Sequence, residues 1–218
     1  MTTALNPRPK DFPTNKELKR ALVLGCADGV SSAIPLLKKI QGMGGKPGPV
    51  KPFVLKSAVY SGVIYTTQTT GESLFNPFAG SIISAAIAMP LEALLYGGPA
   101  SHGTNRIGFI AIGCRDVAWA YSISKVQKNE NTNPTKQWLT SIGIAVCAGL
   151  LTYPADAVRA QSITHSSENW QVILNESVEF LKSPLALHGM IWRITTLCTA
   201  AIGVETAKTL MEQLNSKD

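Results

Sequence analysis

Charged residues are scarce in this chain of 218 residues. Asp, Glu, Lys and Arg together make up 16% of it, whereas hydrophobic residues make up 45%. A typical soluble domain has about 25% charged residues. The deficit indicates a membrane protein, and the length allows one domain or two small ones.

Histidine and cysteine are few, and they are scattered. No nucleophile–base set or metal cluster accompanies the histidines, which argues against an enzyme and against a metal or other cofactor. The cysteines have neither disulfide-framework nor zinc spacing, and we interpret them as buried thiols within apolar segments. These residues are His102, His165, His188, Cys26, Cys114, Cys147 and Cys198.

The chain has no stripe of Lys and Arg with interleaved aromatic residues, so nucleic acid is not an expected partner. Its net charge of +6 instead suits an anionic lipid surface or anionic solutes. The N-terminal MTTALNPRPKDFPTNKELKR is polar and has no apolar core. It resembles neither a secretory signal nor an Arg/Ser-rich transit peptide.

Six apolar segments rich in Gly, Ser, Thr and Ala are present, separated by stretches that break helices. Small residues are typical of membrane helices that pack closely. We predict helices at roughly 18–40, 53–75, 78–96, 106–127, 136–161 and 185–214. An additional segment, Asn169–Lys182, is predicted to be a short amphipathic surface helix, with Val172, Leu174, Val178 and Leu181 on its apolar stripe.

An internal proline recurs at an equivalent position in three of the segments, as Pro35, Pro90 and Pro154. A second helical segment follows each time, so we interpret the chain as three tandem helix pairs in a single domain. The repeats span about 18–75, 76–130 and 134–214, after a polar extension at 1–17. Ten and six residues before the three prolines stand Gly25 and Gly29, Gly80 and Ser84, and Ile144 and Ala148.

The third proline begins a charged motif, Pro154-x-Asp156-x-x-Arg159. It resembles the signature of the mitochondrial carrier family, Pro-x-(Asp/Glu)-x-x-(Lys/Arg), which ends each odd-numbered helix. The other copies match in part. The second copy has Pro90 and Glu92, with Leu95 in place of the base. The first copy has Pro35, with Leu37 in place of the acid and Ile40 in place of the base, and Lys38 and Lys39 lie between them.

A second family signature, aromatic-(Asp/Glu)-x-x-(Lys/Arg), ends the even-numbered helices. The sixth segment resembles it with Val204, Glu205 and Lys208, and the fourth with Tyr121, Ser122 and Lys125. The second segment has no clean match around positions 67–72. Together with the prolines, these motifs extend the resemblance over nearly the whole chain.

The resemblance implies an all-α membrane protein with six transmembrane helices in three pairs and pseudo-three-fold symmetry. Each odd helix is expected to bend at its proline, so that the three ends converge. A charge inside a bilayer is costly unless it is paired or hydrated, so the motif charges are expected to form gate-like salt bridges. The expected members are Glu92 with Arg159, Asp156 with the region of Lys38 and Lys39, and, on the opposite side, Glu205, Lys208 and Lys125.

The resemblance also implies contacts with a substrate in a central cavity. Arg193 lies eleven residues before Val204, and Lys56 lies eleven before Thr67, a spacing at which many family members carry a substrate-contacting arginine. Intramembrane ionisable residues are functional candidates by default, so we add Arg115 and Asp116 to Lys56 and Arg193.

Structural interpretations of these charges stay open. Arg115, Asp116 and Asp28 are equally well explained as internal ion pairs that hold helices together. Asp156 and Arg159 on their own also fit an i, i+3 pair at a helix end.

The chain departs from the family pattern in two respects. Only the third pair keeps a surface helix, and only one copy has the complete gate motif, whereas alternating access needs two gates of comparable strength. We therefore expect a non-transporting structural or accessory subunit of an assembly in the mitochondrial inner membrane, such as a respiratory-chain complex. The expected partners are membrane lipids, cardiolipin among them, and other subunits. The alternative is a divergent mitochondrial exchanger of a small anionic metabolite.

Overall fold

A computed structural model of the chain describes residues 11–42, 49–96, 106–129, 133–164 and 169–215. Within these ranges all regular secondary structure is α-helical. The ends of the seven predicted segments differ from the helix ends by at most three residues, so the predicted helices are confirmed. The helices are α1 (Asn15–Gly42), α2 (Val50–Leu74), α3 (Pro77–Tyr96), α4 (Arg106–Gln127), α5 (Pro134–Thr164), α6 (Trp170–Lys182) and α7 (Pro184–Asn215).

A polar cap followed by proline begins three of the helices. The Asn76 carboxamide oxygen accepts from a backbone N–H in the first turn of α3 at 2.8 Å, and Asn133 does the same for α5 at 3.2 Å. The Ser183 hydroxyl caps α7 at 3.3 Å. Each cap is followed by proline, which is favoured at a first helical position because its missing N–H would have no partner there.

The six long helices form a closed ring. Each packs against the next in the order α1, α2, α3, α4, α5, α7, and α7 packs against α1. The short α6 contacts α5 and α7. Contacts between α2 and α4 and between α4 and α7 cross the ring, and a core of buried apolar residues from α1, α2, α3, α4 and α7 fills one part of it.

Glycines allow the closest approach of neighbouring helices. A Cβ added to Gly25 would lie 2.5 Å from the Ser61 carbonyl oxygen of α2, and one added to Gly71 would lie 2.6 Å from the Cα of Gly80 in α3. The small residues at the repeated positions are therefore contact points, as predicted. Gly25 and Gly80 occupy equivalent positions in the first and second repeats, yet both contact α2. Gly25 therefore packs against a helix of its own repeat, whereas Gly80 packs against a helix of the preceding repeat.

Pro35, Pro90 and Pro154 lie inside α1, α3 and α5. In the described part of the chain, three helical stretches are long and apolar enough to cross a membrane, namely Asn15–Lys38, Pro134–Val158 and Pro184–Asn215. The chain is therefore a helical membrane-associated protein. α2 does not reach this threshold because polar and charged residues interrupt it, and the six-span arrangement stays a prediction.

Two expectations about side chains are corrected by the structure. Cys114 and Cys147 are exposed rather than buried, because they lie on outward faces of α4 and α5. The surface helix α6 is confirmed, but it contacts the bundle through Ile173 and Ser177. Its predicted apolar stripe is exposed on the outside.

Candidate functional site

Four buried charged side chains from three helices meet inside the ring. Arg115 and Asp116 are consecutive in α4 and form an ion pair of 2.6 Å. Asp156 of α5 lies 3.3 Å from Arg115 and 3.5 Å from Arg193 of α7. All four are at most 8% exposed. We call Arg115, Asp116, Asp156 and Arg193 the charge cluster.

Helix α5 positions the charge cluster through two residues one turn apart. Asp156 supplies the carboxylate, and Thr152, four residues earlier, accepts hydrogen bonds from the Arg193 guanidinium at 3.2 and 3.4 Å. The Thr152 hydroxyl donates in turn to the Ala148 carbonyl at 2.7 Å. Arg193 is therefore held by an anionic and a neutral acceptor on the same face of α5.

The two positive and two negative charges of the cluster sum to zero. Its members link α4, α5 and α7, as the interpretation of Arg115 and Asp116 as an internal ion pair expects. Three of the four predicted cavity residues are thus brought together. The fourth, Lys56, is exposed and lies one turn before Tyr60 on α2.

A second polar layer fastens α7 to the junction of α4 and α5. The Lys208 ammonium group lies 3.1 Å from the Glu205 carboxylate, and it donates to the carbonyls of Val126 and Asn129 at the end of α4. Glu205 also accepts from Ser141 and Gln137 in α5. Both charged side chains are only 1% exposed. Glu205 and Lys208 were predicted as gate residues, and the structure places them together.

The ion pair Glu72–Lys128 connects the ends of α2 and α4. Glu72 also accepts from Gln68 at 2.7 Å, and the same amide group of Gln68 approaches Ser81 of α3 at 3.2 Å. This pair does not follow from the family signature, which places the base three residues after the acid in the chain, where Phe75 stands. The sequence feature that could have indicated the pair is Glu72 itself, an acid in the last turn of α2.

Among the described residues, Lys125 lies apart from the gate-like contacts, and its role in a gate stays a prediction. It is exposed, and its ammonium group lies 5.0 Å above the centre of the Tyr121 ring, four residues earlier on α4. Lys125 therefore lies on the outward face of the helix. Lys128, beyond the last turn, provides the base instead.

The other predicted gate residues fall on side chains outside the described part. Glu92, Arg159 and Lys39 belong to α3, α5 and α1, respectively. The pairing of Glu92 with Arg159, and of Asp156 with the region of Lys39, therefore stays a prediction.

Aromatic side chains occupy the ring beside these polar layers. Tyr60 of α2 and Trp119 of α4 stack across the ring with a centroid distance of 6.1 Å. Next to this stack lies a partly open cleft of about 30 Å³. It is lined by Asp28, Tyr65, Trp119, Ser122, Ile123, Val126, Ile144, Ala145, Ala148, Leu197, Ala200 and Ala201.

Within the described ranges, no three His, Cys, Asp or Glu side chains converge as they would around a metal ion. Comparison with models of protein families, with curated proteins and with solved structures finds no match. The similarity to mitochondrial carriers therefore depends on the motif residues quoted above.

Proposed function

We propose that this chain is a carrier-like bundle of six membrane helices that does not transport, and that it serves as a structural subunit of a membrane assembly. The expected setting is the mitochondrial inner membrane, with a respiratory-chain complex as the parent assembly. The observation that carries the proposal is the charge cluster, in which the described charges neutralise one another.

An anionic substrate would have to compete with Asp156 for Arg193 and Arg115. Each guanidinium is about one-tenth exposed and already has a carboxylate within 3.5 Å. Removing one partner of a buried ion pair typically costs about 3–5 kcal/mol. The cluster is thus arranged as a link between helices, and a substrate would need strong compensating contacts to open it.

The second polar layer supports the same conclusion. Lys208 is held by three oxygen acceptors, of which the Val126 and Asn129 carbonyls lie at the end of α4. Movement of α7 away from α4 would leave these groups unpaired in an apolar interior, which is costly. The stacked Tyr60 and Trp119 add apolar contact between α2 and α4. These contacts favour one packed state.

The outward faces are available for lipids or neighbouring subunits. Large apolar side chains on the surface include Leu151 of α5, which is 79% exposed, and Leu55 of α2, which is 67% exposed. Such faces occur both in transporters surrounded by lipid and in subunits surrounded by protein. The composition of the native assembly therefore decides between the two functions.

The first experiment isolates the protein from membranes in a mild detergent and measures its native mass. We expect it to migrate with other proteins, far above its own 23.3 kDa, and to form specific cross-links to them. A protein that migrates alone in several mild detergents would contradict the subunit proposal.

The second experiment reconstitutes the purified protein in liposomes and measures exchange of labelled nucleotides, keto acids and amino acids. We expect the rate found in protein-free liposomes, with a transport-active carrier as the positive control. Saturable exchange that disappears in Arg193→Ala would refute the static bundle.

Such exchange would establish the second candidate function, a divergent exchanger of a small anionic metabolite. One arrangement favours it. Arg115 and Arg193 come from two different helices and converge inside the ring, and Lys56 lies on the same side of α2 as Tyr60, which faces α4. In this case the charge cluster would be the closed form of a binding site, and substrate would replace Asp156 as the partner of the two arginines.

A further inference from the structure

Asp28 is a buried carboxyl group in the middle of α1, outside the charge cluster, and it is 2% exposed. Its Oδ1 accepts a hydrogen bond from Ser32 at 3.3 Å, and the Tyr65 hydroxyl of α2 is a second hydrogen-bonding neighbour. Among the described residues, its Oδ2 has no hydrogen-bond partner. Neutral hydroxyl groups therefore hold Asp28, and they do not balance a negative charge.

The ion pair that the sequence left open for Asp28 is not formed within the described ranges. Besides α2, helix α1 packs against α7, where Gly203 lies against Ser31 of α1. The charges that follow on α7, Glu205 and Lys208, pair with each other at 3.1 Å. The cleft beside Asp28 is lined mostly by apolar side chains. In the described part of the chain, this carboxyl group therefore has no counter-charge of its own.

The other buried acids of the ring have different surroundings. Asp116 and Asp156 each lie within 3.5 Å of an arginine, and Glu205 has Lys208 as its partner. An ionised carboxylate that is buried without such a cation is costly, so a group in this position normally becomes neutral by taking up a proton. Among the described buried acids, Asp28 is the one to which this reasoning applies.

We propose that Asp28 binds a proton in the folded bundle, and that this proton makes the packing of α1 against α2 and α7 sensitive to pH. The neutral carboxyl group keeps its contacts with Ser32 and Tyr65 without placing a charge inside the ring. When the proton leaves at higher pH, an uncompensated anion remains. The stability that depends on this site is therefore complete at acid pH and is lost as the pH rises. The proposal holds whether or not the bundle transports a metabolite.

Thermal unfolding of the purified full chain in detergent, between about pH 5 and about pH 8, tests the site. The unmodified chain is compared with Asp28→Asn, whose neutral amide has nearly the size and shape of a protonated carboxyl group. A proton that the folded chain holds and the unfolded chain releases changes the ratio of folded to unfolded protein by up to about tenfold for each pH unit. As the pH rises, we therefore expect the midpoint of Asp28→Asn to gain on that of the unmodified chain by up to about 3–5 °C per pH unit.

Infrared spectroscopy observes the proton directly, because a protonated carboxyl group has a carbonyl stretching band that carboxylates lack. At about pH 6 exposed carboxyl groups are ionised, so the unmodified chain should show a band that weakens at higher pH and is missing from Asp28→Asn. The control Glu179→Gln removes an exposed carboxylate and should change neither the band nor the pH dependence.

Two results would overturn the proposal. The first is a difference in midpoint between Asp28→Asn and the unmodified chain that stays constant with pH. The second is the absence of the infrared band from the unmodified chain at about pH 6, which decides the question alone if Asp28→Asn does not fold. Either result would indicate that Asp28 is ionised and that its charge is balanced in another way.

Discussion

Replacing Asp156 by Asn removes one negative charge from the charge cluster and changes the side-chain volume very little. The unmodified carboxylate lies 3.3 Å from Arg115 and 3.5 Å from Arg193. In the variant, Asp116 would be the one carboxylate left in the cluster beside two buried guanidinium groups. The cluster would then carry a net charge of +1 in an apolar interior.

The expected result is a large loss of stability. Breaking a buried ion pair by removing one partner typically costs about 3–5 kcal/mol. One kcal/mol lowers the midpoint temperature of a chain of this size by about 2–4 °C, so the midpoint of Asp156→Asn should fall by about 6–20 °C. Tryptophan fluorescence during heating in detergent measures this, since Trp119 lies within the ring.

The matched control is Glu179→Gln, which removes a carboxylate paired at 2.7 Å with Lys182 on the exposed side of α6. Exposed pairs contribute at most about 1 kcal/mol. Adding Arg193→Gln to Asp156→Asn should recover part of the loss, because the two residues interact. If Asp156→Asn behaves like the control, the cluster is hydrated, and the reasoning that led to a static bundle is wrong.

Three further predictions concern other contacts of the ring. Lys208→Met should lower the free energy of unfolding by about 3–5 kcal/mol, because it removes the cation that balances the buried Glu205 carboxylate. Lys125→Met should change it by less than about 0.5 kcal/mol, and chemical denaturation in detergent measures both. Gly29→Ala should destabilise the protein by about 1–3 kcal/mol, because the added methyl group would overlap the backbone of α2. Gly143→Ala has open space around the added group and should stabilise α5 by up to about 1 kcal/mol in the same assay. If α4 spans the membrane, a variant with Cys114 as its one cysteine should react in intact membranes with a lipid-soluble maleimide and not with a charged one; equal reaction with both would contradict the span.

The helices could be predicted from the sequence because their signals are local. Apolar length, small residues and breakers identify a helix without knowledge of its neighbours, and Pro35, Pro90 and Pro154 provide a common reference point. The burial of Arg115, Asp116 and Arg193 was also foreseeable, since ionisable residues in apolar segments face the protein interior.

The pairing of these charges was harder to predict from the sequence, because it depends on how each helix is rotated about its axis. Asp156 contacts Arg115, 41 residues away, and no local pattern specifies that partner. Lys125 and Lys128 differ by three residues, yet the first lies on the outer face and the second pairs with Glu72. A motif search within one helix cannot find a pair that joins two helices.

The zero sum of charges in the cluster has an electrical consequence. A membrane potential does work on net charge that moves through it, about 2.3 kcal/mol per elementary charge for each 100 mV. Arg115 and Arg193 balance Asp116 and Asp156, so a small shift of the cluster along the membrane normal moves no net charge. If the bundle spans the membrane as proposed, a change of voltage would exert no net force on these four charges, which suits the proposed structural subunit.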